Sequence, residues 1–181
     1  MPVPEAKLVD KSGGLAPDGP GWFIMNVADA VSFKHPEAGQ YIRFEDLDKA
    51  PFPHYGIGIH VLWPGQPNAM YHAESNQESF MVLEGECRLI VEGEEVVMRK
   101  WDFFNCAPMT RHITVGAGDG PCAILMVGAR LPDEELEYPH DPLAANYNAQ
   151  SPQPTSDPKV AYSELQGEWV PGPFPWPVSS V

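Results

Sequence analysis

Two histidines and two glutamates near the middle of the chain are the side chains best able to do chemistry together. His72 and Glu74 stand two positions apart, and Glu78 follows after the polar turn Ser75-Asn76-Gln77. In an extended strand, residues two apart project from the same face, so His72 and Glu74 point the same way. Glu78 opens the next strand, where an antiparallel neighbour can bring its carboxylate opposite them. His112 opens a later strand, just after a loop holding Pro108. A lone strand histidine is commonly a structural hydrogen-bonder. Two neutral imidazoles with one or two carboxylates on facing strands instead suit Zn²⁺, Mn²⁺, Fe²⁺ or Ni²⁺.

Such a set needs strands to carry it, and residues 51–130 read as a dense series of them. Residues 57–62 end at Pro64-Gly65, and residues 79–83 end at Glu84-Gly85. Residues 87–91 and 96–101 flank the short hairpin loop Glu92-Gly93-Glu94, and residues 113–115 and 122–127 flank a turn at 116–121. This spacing of short strands and turns predicts an all-β sandwich or small barrel. The pattern allows one short helix, around residues 134–136. Proline, at 21 residues, argues against a helical bundle, because it breaks helix interiors. Hydrophobic residues at 43% and charged residues at 20% suit a chain that buries a core. We divide it into an N-terminal arm (1–50), a barrel (51–130), and a C-terminal arm (131–181) that is acidic and then proline-rich. Trp169, Phe174 and Trp176 are costly to leave in water, so the tail is expected to lie along the barrel or a partner subunit.

Several functions are disfavoured. A formal charge of −14 repels phosphate backbones and anionic membranes, so neither nucleic acid nor membrane is an expected partner. Residues 1–14 carry no apolar leader, and the apolar run at 123–127 is too short to span a bilayer; a cytoplasmic location is expected. Cys87, Cys106 and Cys122 form no CxxC pair and read as buried thiols. No P-loop, GxGxxG or Ser-His-Asp pattern is present. His35, His54 and His140 read as solvated, and His60 as a capping or surface residue. Asp133, Glu134, Glu135 and Glu137 read as a solvated face. Met70, Phe80, Trp101, Phe103, Phe104 and Met109 read mostly as core. Of the barrel cations Arg88, Arg99 and Arg111, the last is a poor holder of a substrate carboxylate, since it alternates away from His112.

Residues 65–85 resemble the first motif of the cupins: glycine, five residues, His-x-His, three or four residues, glutamate, six residues, glycine. Here there is one extra residue before His72, and Glu74 stands at the second histidine. The second cupin motif runs glycine, five residues, Pro-x-Gly, two residues, histidine, three residues, asparagine. Aligned on His112, it meets Trp101, Ala107, Met109 and Gly116 at its other positions, so only the histidine is kept. The fifteen residues between Gly85 and Trp101 match the family's short spacer. The resemblance spans roughly residues 56–130. It implies a single cupin jelly-roll barrel, a double-stranded β-helix.

The resemblance further implies that His72, Glu78 and His112 are metal ligands, with Glu74 either a fourth ligand or a general base beside the metal. One divalent transition metal ion per chain (Fe, Mn, Zn or Ni) is the expected cofactor. The expected function is a mononuclear metalloenzyme acting on an unknown small organic molecule, with dioxygenase chemistry first and decarboxylase or isomerase chemistry also compatible. The alternative is a non-catalytic barrel that binds a small ligand. A homodimer is expected, the N-terminal arm being suited to adding a strand to a neighbour's sheet.

Overall fold

The computed structural model describes residues 1–46 and 48–174. Fourteen strands are described: β1 (Lys7–Asp10), β2 (Leu15–Asp18), β3 (Val31–His35), β4 (Gly39–Arg43), β5 (Tyr55–Leu62), β6 (Ala73–Glu74), β7 (Glu78–Glu84), β8 (Glu86–Val91), β9 (Glu94–Arg99), β10 (Phe103–Cys106), β11 (His112–Ala117), β12 (Cys122–Ala129), β13 (Leu136–Glu137) and β14 (Val170–Pro173). A seven-stranded antiparallel sheet runs in the order β10-β7-β12-β5-β4-β3-β14 and faces a three-stranded sheet, β11-β8-β9. The fold is all-β and of jelly-roll type. Trp176 lies outside the described residues.

Strand alternation builds the core in layers. Leu62, Phe80, Val82 and Ile124 of the large sheet meet Cys87, Leu89 and Met98 of the small one at the closed end of the barrel. The next residues along β5 and β12, among them Ile59, Val61 and Ala123, point outward into a second core with Ala30, Ile42 and Phe174. The back of the small sheet is covered likewise, where Tyr71, Ile90, Ile113 and Val115 pack on Ala144 and Ala149. A sheet buried on both faces needs apolar residues at successive positions, which accounts for the unbroken run at 122–127. Turns close the ladder: Gly85 adopts φ 74°, and a Cβ there would meet the Pro121 carbonyl oxygen at 2.6 Å.

Two expectations are corrected. Residues 134–136 are not helical, because Leu136 pairs with Glu74 in the short β13–β6 ladder. The helices are instead α1 (Pro142–Ala145) and α2 (Pro158–Ala161), each with an aspartate cap, Asp141 or Asp157, followed by proline at the first helical position. The cap carboxylate accepts the free amides, and proline lacks the one that would go unsatisfied. His35 is 1% exposed, not solvated: Trp169 lies over it at 5.0 Å, and its Nδ1 accepts from the Glu37 amide at 3.2 Å. No helix among the described residues is long and apolar enough to cross a membrane.

The tail joins the large sheet. β14 pairs antiparallel with β3, Ser32 Oγ donates to the Gly172 carbonyl at 3.0 Å, and Gln40 Nε2 donates to Ser32 Oγ at 2.6 Å. Phe174, 4% exposed, fills the outer core. Phe174→Ala should therefore cost about 3 kcal/mol and lower the melting temperature by several degrees. Removing residues 167–181 should cost more. Unchanged melting of both variants, read by calorimetry, would contradict this packing.

Candidate metal centre

Backbone pairing brings the two histidines together. The His72 amide donates to the His112 carbonyl at 3.2 Å, and the His112 amide donates to the His72 carbonyl at 2.8 Å. Residues paired this way carry their side chains on one side of the ladder, and the two rings lie 4.8 Å apart. Glu78, the first residue of β7, faces Gly128 across the β12–β7 ladder, and its carboxylate lies over that glycine, 3.7 Å from where a Cβ would stand.

His72 Nδ1 lies 2.7 Å from the Met70 carbonyl, and His112 Nδ1 lies 3.0 Å from that of Thr110. When each Nδ1–H donates to its carbonyl, both Nε2 lone pairs are left free, the arrangement found around metal-bound imidazoles. His112 Nε2 stands 3.1 Å from Glu78 Oε2. That carboxylate oxygen is buried and has no hydrogen-bond partner. One donor atom each from His72, Glu78 and His112 lies within 4.8 Å of the others. Lone pairs converging on a buried carboxylate repel unless positive charge lies among them, so the donor set fits a divalent cation.

Titration follows the same logic. Without a cation, burial alone would lower His112, but its contacts with Cys106 and Glu78 outweigh this and push it up to about 10, so a proton on Nε2 then supplies the positive charge beside Glu78. Burial, reinforced by His112, pushes His72 down. Cys106 Sγ sits 3.3 Å from His112 Nδ1, so this buried thiol helps fix the ring. All three cysteines are free and buried. Phe80 and Phe104, at 5.4 and 5.9 Å, close the other side of the His112 ring.

The site opens into a cavity of about 640 Å³. Glu74 lines its wall but is not one of the three converging ligands. Burial first, then Glu78 and Glu134, pushes its carboxyl up to about 8. Glu134 is exposed, as the solvated-face reading expects, and it also lines the cavity and accepts from Asn76 Nδ2 at 2.8 Å. His60, read from sequence as a cap or surface residue, is instead part of the cavity wall; burial and then Arg43 push it down to about 4. From the C-terminal segment, Tyr162, Leu165 and Trp169 complete the wall.

The remaining candidates fall elsewhere. Arg88, Arg99 and Arg111 are held at the surface by Glu95, Glu86 and Glu137. His54 and His140 are exposed. Trp101, Phe103 and Met109 are exposed rather than core, whereas Phe80 and Met70 are buried. Trp101 and Met109 have φ of 75° and 63°, at the two positions where the second motif has glycine. The backbone bends of that motif are therefore kept although its glycines are gone. Tyr41, Arg43 and Tyr162 escaped the sequence reading because they lie outside the barrel segment, and Glu134 and Trp169 were read there only as a solvated residue and as a packing residue of the tail. The one available signal was the alternation Tyr41-Ile42-Arg43, with an apolar residue between two that point the other way.

A further ion pair fixes the cavity's rim. Arg130 grips Glu45 through two bonds, at 2.5 and 2.8 Å, and donates to the Phe52 carbonyl at 2.8 Å. Glu45's side chain is 1% exposed. Burial opposes its ionisation, but Arg130 and the Phe52 amide outweigh this and hold it below the ordinary 4.5. A depressed folded pKa gives stability that is complete above the unfolded value and lost as pH falls through the folded one. Glu45→Gln should thus melt well below the wild type at pH 7, with the gap narrowing as pH falls below 4.5. A constant gap would contradict the pair's role. Arg130→Met, which strands a buried carboxylate, should cost about 3–5 kcal/mol at pH 7.

A family model described as the cupin domain matches residues 58–128. No curated protein matches the chain. Among solved structures, it is similar to a sugar phosphate isomerase from Silicibacter pomeroyi, at 24% identity and a TM-score of 0.50, covering 62% of this chain and 68% of that one. A protein of Acidithiobacillus ferrooxidans, provisionally assigned as a sugar phosphate isomerase, gives 24% and 0.51, covering 57% and 67%. A polyketide cyclase from Streptomyces resistomycificus gives 15% and 0.53, covering 62% and 83%. At these identities the likeness is one of fold.

Proposed function

We propose that this chain, whose residues 58–128 match the cupin domain, is a mononuclear metal-dependent enzyme acting on a small organic molecule. His72, Glu78 and His112 hold one divalent iron, manganese, zinc or nickel ion. The supporting observation is the buried Glu78 oxygen that lacks a hydrogen-bond partner while facing imidazoles whose Nδ1 atoms are engaged by backbone carbonyls. Two imidazoles and one carboxylate leave coordination positions open, and a metal held so supplies Lewis acidity or, as iron, access to dioxygen.

The chain's own groups do the rest. Met70 and Thr110 orient the ligand imidazoles through their carbonyls. Phe80 and Phe104 keep water from one side of His112. Glu74, on the cavity wall beside Glu134, takes or returns a proton at the substrate. Dioxygenase chemistry is the first reaction to test. A second reading, a barrel that binds a ligand without turnover, draws support from the second motif, which keeps only His112. The proposal includes a homodimer; a solution mass near the 19.9 kDa of one chain would remove that part.

Elemental analysis of tag-free protein purified without chelator should find about one equivalent of transition metal per chain. His72→Ala and His112→Ala should each lose it while circular dichroism still reports a folded barrel. No metal in the wild type, and none taken up from each ion in turn, would end the metalloenzyme reading. Glu74→Gln should keep the metal and lose turnover. Loss of the metal would make Glu74 a ligand, and full turnover would remove it from the chemistry. Stoichiometric metal with no consumption of oxygen or of any carboxylate, sugar phosphate or phenol supplied would favour the binding barrel.

A further inference from the structure

Arg43 is the exception among the five arginines of this acidic chain. Arg88, Arg99, Arg111 and Arg130 each hold a glutamate within 3.3 Å. Among the described residues Arg43 has no ion pair, and its guanidinium lies over the Tyr41 ring at 5.2 Å. It is exposed, yet it lines the cavity and so stands at its mouth.

The surroundings of Arg43 have a definite shape. Tyr41 is stacked between Phe33 at 5.5 Å and His60 at 5.6 Å, and Trp169 meets it at 4.7 Å with an exposed ring of its own, so the aromatic surface open on this wall is that of Trp169. The floor between that wall and Glu78 is Met126 and glycine. Gly58 faces Arg43 across the β4–β5 ladder, Gly56 faces Gly128, and Gly128 faces Glu78. Strands β4, β5, β12 and β7 are neighbours. At the usual strand spacing, and with Glu78 two residues along from the row of Arg43, the backbones bearing Arg43 and Glu78 are about 16 Å apart. An extended arginine covers roughly half of that span, and the remainder is about the length of one ring with its substituents.

We propose that Arg43 is the anion-binding residue of this cavity, and that the ligand is a small aromatic carboxylate lying against Trp169. Its carboxylate takes the guanidinium fork, and its remaining polar group turns toward His72, Glu78 and His112. This rests on the metal-centre reading for its orientation but not for its anchor. A carboxylate fits better than a phosphate. One free guanidinium matches one carboxylate in bidentate geometry, whereas a phosphate dianion calls for further donors. The nearest other cation lining the cavity, Arg130, is already taken by Glu45.

The test is calorimetric titration of metal-loaded and metal-free protein with benzoate, salicylate and cinnamate, alongside salicylamide and glucose 6-phosphate. The carboxylates should bind, salicylamide should bind at least about tenfold more weakly, and Arg43→Gln should lose about tenfold or more for each carboxylate. The metal content of Arg43→Gln should equal that of the wild type. Failure of all three carboxylates to bind, equal binding by Arg43→Gln, or a preference for glucose 6-phosphate would each overturn the proposal. Carboxylate binding that depends on Arg43 in a protein that takes up no metal would leave it standing while ending the metal reading.

Discussion

The paired backbone of His72 and His112 is the joint on which this molecule turns. Two amide–carbonyl bonds lock the segment before β6 to the start of β11, and so carry two imidazoles to one side of one ladder. The side chains have little freedom left, because each Nδ1 is within hydrogen-bonding distance of a carbonyl two residues back in its own chain. Glu78 reaches the same point from a different sheet, which makes the closure of the two sheets a condition of the site. A divalent cation there would take the place of the proton that otherwise balances Glu78 against His112.

Placing such a group inside a small barrel demands that the rest of the barrel be tight. One end is filled by Leu62, Phe80, Val82, Leu89 and Ile124, and the cavity occupies what remains. Both sheets are also apolar on their outer faces, so they need covering layers. Ala30 and Phe174 cover one, and Ala144 and Ala149 the other. The chain outside the barrel segment is thus part of the fold's hydrophobic balance. A proline-rich stretch can be ordered because its few apolar residues land on these faces.

The barrel strands were legible because alternation and turn glycines are local signals. The hairpin at Glu92-Gly93 and the left-handed Gly85 sit where the sequence puts its breaks. The grouping of His72, Glu78 and His112 could be read from strand spacing and from motif resemblance together. What could not be read was anything set by long-range packing. His35 beside a proline looks solvated until Trp169 arrives from the other end of the chain. Glu134 sits in a charge run that faces water, and its additional place on the cavity wall, where it accepts from Asn76 in the turn before β7, is set by contacts far apart in sequence. The aspartate-proline helix starts at 141 and 157 were visible, but an acidic cluster drew the helix expectation elsewhere. Arg43 carries no motif; its lack of a partner is a property of the folded surface.

The cavity has two parentages. The proposed metal ligands come wholly from the central segment, while part of the wall is brought by Tyr41 and Arg43 from the chain before it, and by Tyr162, Leu165 and Trp169 from the chain after it. The proposed metal centre and this outer part of the wall are therefore encoded in separate stretches. Substitutions in the flanks can re-shape what the pocket accepts without passing through a state that has lost its imidazoles. A scaffold of this kind can change clientele by drift at its termini, with the inherited chemistry carried along intact.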